Sequence, residues 1–325
     1  MLVRTLPRIA VPEWLKGAGG KSAGECLTLV RIQPPPYHRQ RRRGPVRVTN
    51  TIRPTKRGKA RTALVTCLIL LAGCVTLVAG WSSDALWFVV HNACARDQRQ
   101  FGIPSPCTKV DLAAGYALLK YPGHPTHFLL VPTARVTGIE DPALLSPNAP
   151  NYWAQAWHAR QYVEERAGRV LAREDLILAV NSIQGRSQDQ LHIHIDCIKP
   201  KVKAALHTHA AAIGRPWAHF PTPLAGNFYL AKRIDSTDLD GVNPFRLLAA
   251  LPQARSAMGE QTLAVTGETG PDGLPGFILL AGRAFPDITD GGGEALQDHR
   301  CLVGRENPKM APARVPMPDY LRSER

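Results

Sequence analysis

The chain has 325 residues, 44% of them hydrophobic and 20% charged, and this composition predicts a globular body with a substantial core. The net charge of +14 would suit a nucleic-acid-binding protein, but residues 1–62 hold 15 Lys/Arg against 2 acidic residues, whereas the rest of the chain holds 25 against 24. The body is therefore almost neutral, and we expect no nucleic-acid partner.

Residues 1–60 form a basic segment that is rich in Pro and Arg and has no clear period. Such a composition predicts a disordered cytosolic tail. Because no Met lies between Met1 and Met258, the alternative is that translation starts later, near Val48, and that the tail is not made.

Residues 61–82 are predicted to form a single transmembrane anchor. The stretch from Ala63 to Trp81 is uncharged and mostly apolar, and at about 1.5 Å per residue a helix of this length just spans a bilayer core. Basic residues precede the stretch, and two serines and Asp84 follow it. The positive-inside rule therefore places the tail in the cytosol and the body outside it.

A cleaved signal peptide is the alternative to this anchor. The sequence "LAGC", from Leu71 to Cys74, resembles a lipoprotein cleavage site. The apolar run continues well past Cys74, however, and this continuation favours an uncleaved anchor.

Four cysteines lie in the body: Cys94, Cys107, Cys197 and Cys301. An even number in an oxidising compartment suggests two disulfides, with three pairings to choose from. Cys94 and Cys107 are close in sequence, so a local bridge between them is the simplest choice and leaves Cys197 to pair with Cys301. Four free thiols are the alternative.

The body reads as alternating strands and helices. We predict a hairpin, a helix with Pro150 in its first turn and Gly168 at its end, two strands, a second helix and a long-turned hairpin. In chain order these elements fall within Gly115–Thr133, Tyr152–Ala167, Asp175–Ser182, Leu191–Ile198, Val202–Ile213 and Thr262–Gly282. This order indicates an α+β fold with an antiparallel sheet flanked by helices.

The strand "LHIHIDCI" carries the most informative pattern. Residues i and i+2 of a strand point the same way, so the apolar residues share the core face and a polar row shares the other. That row consists of Gln190, His192, His194 and Asp196. Four polar groups in a dry core would need partners, so we expect the row to face a cleft.

Three interpretations of this row compete. It is a set of structural polar residues, a metal site built on His192, His194 and Asp196, or a nucleophile with its assistant. No further ligand group lies at motif spacing, so we assign no metal. An imidazole is a good nucleophile towards phosphorus. The preceding loop offers a phosphate site, with close backbone approach at Gly185, charge from Arg186 and a hydroxyl from Ser187.

Two segments resemble the histidine-triad (HIT) nucleotide hydrolases. "PTHFLLVPTARVTGIED", residues 125–141, is similar to their strand and following loop, and "NSIQGRSQDQLHIHI" is similar to their Asn…Gly-x-Ser…His-x-His-x-His segment. With Ser187 on the motif serine, the resemblance places His192 on the nucleophile and His194 on the third histidine. Gln190 replaces the first histidine, and this is a departure from the pattern.

The same resemblance implies that Asn181 and His127 contact phosphate or ribose. Within the superfamily, "NYWAQAWHAR", "GRSQDQLHIHIDCIKP" and "LQDHRC" resemble the bacterial CDP-diacylglycerol pyrophosphatases. The likeness covers residues 85–305 as one HIT-like catalytic domain and leaves residues 306–325 as a loose C-terminal tail. No feature specifies an oligomeric state.

The family resemblance implies a hydrolase that cleaves CDP-diacylglycerol to CMP and phosphatidate through a nucleotidyl-histidine intermediate. The implied partners are a lipid-linked nucleotide and the bilayer, with the catalytic domain on the periplasmic side of the inner membrane. No cofactor is required, although a divalent cation would assist by neutralising the diphosphate. The alternatives are a HIT-like nucleotide hydrolase or transferase with another leaving group, and a catalytically dead binding protein.

Overall fold

A computed structural model of the chain describes residues 83–270, 273–284 and 292–304. Its centre is a ten-stranded sheet in the order β1-β2-β3-β5-β4-β8-β9-β7-β6, with β10 paired to one end of β5. Every pairing of named strands is antiparallel. The strands are β1 Lys109–Asp111, β2 Tyr116–Lys120, β3 Phe128–Pro132, β4 Leu176–Val180, β5 Ile193–Ile198, β6 Ala218–His219, β7 Leu230–Ile234, β8 Gln261–Thr269, β9 Pro275–Arg283 and β10 Gln297–Asp298.

The α-helical segments flank this sheet. The first, α1, is Ala85–Val89 and continues through a π-helical stretch, Val90–Ala95, into Arg96–Phe101. The others are α2 Tyr152–His158, α3 Arg160–Ala167, α4 Pro200–Thr208, α5 Pro244–Ala249 and α6 Pro252–Arg255. Short 3₁₀ turns lie at Pro142–Leu145, Arg173–Asp175, Ala210–Ala212, Met258–Glu260 and Gly293–Leu296.

The two faces of the sheet are covered differently. One face carries the large apolar core, in which Ile193 and Ile195 of β5 pack with Trp153 of α2. On the other face, α1 covers β2 and β3 through a second cluster that includes Leu86 and Leu129. Directly paired residues of neighbouring strands lie on the same face. Leu129 pairs with His194, so the histidine of β5 lies on the α1 side of the sheet.

The start of α1 is tied to the loop before β5. The Leu86 backbone N–H, in the first turn of α1, donates to Oε1 of Gln188 at 2.8 Å. The Asp189 backbone N–H donates to the Ser83 carbonyl oxygen at 2.7 Å. The first bond satisfies an N–H that a helix start otherwise leaves unpaired, and the two bonds together join α1 to the segment that leads into the histidines.

The predicted α+β class is confirmed, and both predicted hairpins form close to their expected bounds. The helix expected over Tyr152–Ala167 is wrong in one respect, because it breaks at Ala159 into α2 and α3. Asn151 caps α2 with its side chain, so Pro150 precedes the helix. Gly168 ends α3 in the left-handed region, φ 69°, as glycine readily does.

Both expected disulfides are present. Cys94 in α1 bridges to Cys107, and Cys197 in β5 bridges to Cys301 near the end of the described chain. The second bridge joins residues 104 positions apart and holds the C-terminal segment beside β5.

The basic tail, the predicted anchor and residues 306–325 lie outside the described residues. Within the described ranges, no helix is both long and apolar enough to cross a bilayer.

Candidate active site

The polar row at β5 was expected to face an open cleft, but the structure buries it. The exposed fraction is 9% at His192, 4% at His194 and zero at Asp196. The segment after β9 covers the row, because Gln297 donates from Nε2 to the His194 carbonyl oxygen and His299 reaches Asp196. Each buried polar group therefore needs an internal partner, and most of them have one.

His192 is positioned by the backbone immediately before β5. Its Nδ1–H donates to the Gln190 carbonyl oxygen at 2.7 Å, and a carbonyl oxygen can only accept. This bond leaves the lone pair on Nε2. Burial, with a smaller contribution from neighbouring His194, lowers the pKa of His192 to about 4. The side chain is therefore a neutral imidazole near pH 7, with a free nitrogen of the kind a nucleophile needs.

His194 is the next residue of the row and contacts the ring of His192, with centroids 4.8 Å apart. Its Nδ1 lies 2.9 Å from Nε2 of His127, which precedes β3, so one of these two nitrogens carries the shared proton. Nε2 of His194 and Nδ1 of His127 have no hydrogen-bond partner among the described residues. Burial is the main cause that lowers the pKa of both imidazoles. The pair therefore offers two unused nitrogens.

Asp196 forms the floor of the site. Its Oδ1 accepts from Thr126 Oγ1 at 2.7 Å and from the Cys197 backbone N–H at 2.8 Å. Its Oδ2 accepts from His299 Nδ1 at 2.8 Å. The bridge between Cys197 and Cys301 brings these groups together, because His299 lies two residues before Cys301.

Glu294 completes the charge arrangement. Its Oε1 lies 3.5 Å from Nε2 of His299 and 3.7 Å from Nδ1 of His194. Burial alone would raise the pKa of Glu294, but His194 and His299 lower it well below the usual range. Burial alone would likewise lower the pKa of His299, but its bonds to Asp196 and Glu294 raise it to about 9. His299 is therefore the charged histidine of the site near neutral pH.

Asn181, at the end of β4, links two loops at this site. It donates from Nδ2 to Oε2 of Glu294 and to the Gly185 carbonyl oxygen, each at 3.3 Å, and its Oδ1 accepts from the Glu294 backbone N–H at 3.1 Å. Gly292 must be small here, because a Cβ would lie 2.8 Å from Asn181 Oδ1. Asn181 thus orders the loops around Glu294.

A cavity of about 610 Å³ opens beside His299 and Glu294, at the ends of β4 and β10. Lys199 and Arg300 add positive charge to a wall that also carries His299 and Glu294. Two residues of the cavity lining, Asn181 and Gly185, were predicted from the sequence as binding residues. The cavity is large enough to hold part of a nucleotide.

The structure gives other predicted site residues different surroundings. Arg186 is only 6% exposed and pairs with Glu140 at 2.6 Å and Asp189 at 3.1 Å, so its charge is already balanced. Ser187 is exposed. Gln190 precedes β5, and its side chain turns away to bond the backbone of residues 132–136.

Sequence reasoning missed His124, Glu294 and His299, which are distant from the β5 motif. His124 lies in the turn between β2 and β3, with its ring centroid 4.2 Å from that of His299. His299 could have been found from the predicted bridge between Cys197 and Cys301, because that bridge brings the segment around His299 to β5.

Comparisons with known proteins agree on one family. The family model described as CDP-diacylglycerol pyrophosphatase matches residues 81–305, which include every residue of the site described above. A curated protein of Yersinia pestis, named CDP-diacylglycerol pyrophosphatase, is 41% identical over 250 residues. The alignment covers 75% of this chain and 95% of that protein.

Proposed function

The chain belongs to the CDP-diacylglycerol pyrophosphatase family, hydrolases that act on a diphosphate bond, and from this premise we propose that His192 cleaves the bond by nucleophilic attack. The products are CMP and phosphatidate, and the intermediate is a cytidylyl group on His192. One observation carries the proposal: the bond from His192 Nδ1–H to the Gln190 carbonyl leaves Nε2 with its lone pair.

In the first step, Nε2 of His192 attacks the phosphorus that bears the cytidine. A P–N bond forms, the P–O bond of the diphosphate bridge breaks, and phosphatidate leaves with the electron pair on its oxygen. The imidazole becomes positively charged, and the Gln190 carbonyl that already accepts its Nδ1–H stabilises that charge. The tautomer is set before substrate arrives, so no proton has to move to create the nucleophile.

In this proposal His194 stabilises the charge that develops on the oxygens of the phosphorus. Its ring contacts that of His192, and its Nε2 has no partner within the described part of the chain. If His127 Nε2–H donates to His194 Nδ1, the proton of His194 resides on Nε2. That N–H is then free to donate to a phosphate oxygen, a role for preorganised donors in such transition states.

In the second step, water attacks phosphorus and the P–N bond breaks. The electron pair returns to His192 Nε2, the hydroxyl of the water remains on CMP, and the other proton of the water passes to solvent. Lys199 and Arg300 add positive charge to the cavity wall where the departing phosphate would lie. Arg186 acts indirectly in this scheme, since its pairing with Glu140 and Asp189 holds the loop before His192.

A membrane anchor over residues 61–82 would suit this substrate, and we include it in the proposal. The proposed anchor ends where the described residues begin, and there the Ser83 carbonyl oxygen accepts from the Asp189 backbone N–H, in the loop before His192. Both disulfides fit an oxidising location such as the periplasm. A tethered enzyme meets a membrane-bound lipid at raised effective concentration.

Trapping the intermediate tests the mechanism directly. The full chain in detergent micelles is mixed with CDP-diacylglycerol labelled with ³²P in the cytidine-proximal phosphate and quenched with alkali after milliseconds. We expect acid-labile, alkali-stable label on the peptide that contains His192. His207→Ala is the matched control, because His207 is an exposed histidine on α4.

The proposed intermediate predicts label in wild type and in His207→Ala but none in His192→Ala. Turnover in wild type without any trapped label on His192 under conditions of slow hydrolysis, or label that persists in His192→Ala, would show that another group attacks phosphorus.

A further inference from the structure

We propose that His124, His127 and His299 bind a transition-metal ion of the Zn²⁺ class beside the nucleophile. One ring nitrogen from each of the three lies within 4.8 Å of the others. Imidazole nitrogen is a preferred ligand of zinc and a poor ligand of magnesium, so the donor set selects the class of ion.

Two of the three histidines carry nitrogens that nothing else uses. Nδ1 of His127 and Nδ1 of His124 are buried, and neither has a hydrogen-bond partner among the described residues. The His127 side chain has no exposed surface at all, so this nitrogen cannot be satisfied by bulk water. A buried nitrogen lone pair without a donor is costly, and a metal ion would satisfy it.

His299 has the outer partner that metal-binding histidines usually have. Its Nδ1–H donates to Asp196 at 2.8 Å, which leaves Nε2 as the ligand atom and orients the ring. Asp196 is itself held by Thr126 and by the Cys197 backbone N–H. The carboxylate that orients the His299 ring is therefore itself held in place by hydrogen bonds to its other oxygen.

The turn that carries His124 is also fixed. Lys120 Nζ donates to the carbonyl oxygens of Tyr121 and His124. Nitrogen ligands of a tetrahedral zinc lie roughly 3.4 Å apart, given Zn–N bonds of about 2.0–2.1 Å. The farthest pair of nitrogens must therefore approach by up to about 1.4 Å on metal binding, which requires the rings of His124 and His299 to turn.

The surrounding charge favours a cation. Glu294 Oε1 lies 3.5 Å from Nε2 of His299, and Asp196 lies behind the same ring. Once the ion displaces the proton of His299 from Nε2, three neutral imidazoles with two carboxylates form a site of net negative charge. A fourth metal position would be open to Glu294, to water or to a phosphate oxygen, as in zinc sites with three protein ligands.

The metal site would also determine the proton on His194. If Nδ1 of His127 binds the ion, its Nε2 must carry the hydrogen and donate to His194 Nδ1, 2.9 Å away. His194 then carries its own proton on Nε2, in the tautomer that the proposed chemistry uses. This link rests on the proposed function, but the existence of the metal site does not.

The test measures metal binding without substrate. Untagged full chain in detergent is treated with chelator, exchanged into buffer with Zn²⁺ or with Mg²⁺, and analysed by mass spectrometry for metal content and by calorimetry. We expect a single equivalent of Zn²⁺ per chain and no Mg²⁺ at matched concentration. Replacement by Co²⁺ should give the visible bands of a tetrahedral site.

His124→Ala and His299→Gln should each weaken Zn²⁺ binding at least about tenfold. Changing only a group behind a metal ligand already weakens binding by about 10–100-fold, so loss of the ligand itself should weaken it at least as much as the lower value. His158→Ala is the matched control, because His158 also pairs with a carboxylate, Asp240 at 2.7 Å, but on the exposed surface of α2. Thermal melts confirm that each variant is folded.

The proposal fails if folded wild type takes up no Zn²⁺, or if His158→Ala weakens binding as much as the two site variants do. It also fails if neither site variant changes the affinity. Hydrolysis of CDP-diacylglycerol by metal-free wild type would leave the proposed nucleophile in place, so the two proposals can fail separately.

Discussion

Two His-x-His pairs in this chain have the same spacing and opposite surroundings. His192 lies immediately before β5 and His194 lies within it, both at most 9% exposed, with ring centroids 4.8 Å apart. His207 lies on α4 and is exposed, and His209 follows the helix with its ring edge-on to Phe220, at a centroid distance of 5.5 Å. The element that carries a pair, and not its spacing, decides whether two imidazoles converge on one site.

The largest effect should come from removing one histidine of each pair. We expect His192→Ala to reduce kcat/KM on CDP-diacylglycerol in micelles by at least about 10⁴-fold, the scale on which loss of a nucleophile acts. His207→Ala, on the exposed face of α4, should stay within about twofold of wild type. Steady-state release of CMP measures both.

Circular dichroism must show that His192→Ala is folded, since the residue is buried. A folded His192→Ala that keeps more than a tenth of the wild-type rate would remove the functional difference between the two pairs.

Burial of His192 should also make the free energy of unfolding depend on pH. The folded-state pKa of His192 is lowered to about 4, and the unfolded chain binds this proton near the ordinary value of 6.5. The contribution is therefore fully present above about pH 6.5 and is lost as the pH falls towards 4. The shift corresponds to roughly 3 kcal/mol at full loss.

Urea unfolding of wild type and His192→Gln between pH 7.5 and 4.5 measures this contribution. Other buried histidines also titrate, so the quantity of interest is the difference between the two slopes. Stability should fall less steeply for His192→Gln as the pH drops. Parallel curves would mean that folding does not lower the pKa of His192.

The strands of the sheet could be predicted because they depend on local patterns. Alternation of apolar and polar residues predicted β5, and turn residues predicted the hairpin of β8 and β9. The disulfides followed from the small number of available pairings. His192 was singled out from the alternation of "LHIHIDCI" together with the resemblance to the histidine-triad segment, and the structure places it immediately before the paired residues of β5.

The rest of the site could not be predicted, because it depends on long-range packing. Glu294 and His299 come from a segment about 100 residues after β5, and His124 comes from a turn about 70 residues before it. The strand period also failed at its edge: Gln190 precedes the paired residues of β5, so its side chain does not share the face of His194. A face can be assigned from sequence only where the strand is in fact extended and paired.

The smallest effect concerns Gln190, which occupies the first position of the triad pattern. Its Nε2 donates to the carbonyl oxygens of Pro132 and Ala134, at 3.1 and 2.9 Å, and its Oε1 accepts from the Val136 backbone N–H at 3.3 Å. A neutral imidazole has one N–H and one lone pair, so it cannot meet all three groups. Gln190→His should therefore destabilise the fold by about 1–2 kcal/mol, the cost of one buried group left unpaired. The rate should change less than about tenfold, because His192 is held by the Gln190 backbone carbonyl, which the substitution retains.

Gln190→Leu, which removes all three bonds, should destabilise more, and urea unfolding together with kcat/KM ranks the three proteins. A Gln190→His variant that is as stable as wild type and clearly faster would mean that histidine serves the reaction better at this position and that the amide lowers the rate. We expect the opposite, because the bonds of the amide to residues 132–136 hold that loop against the segment before β5.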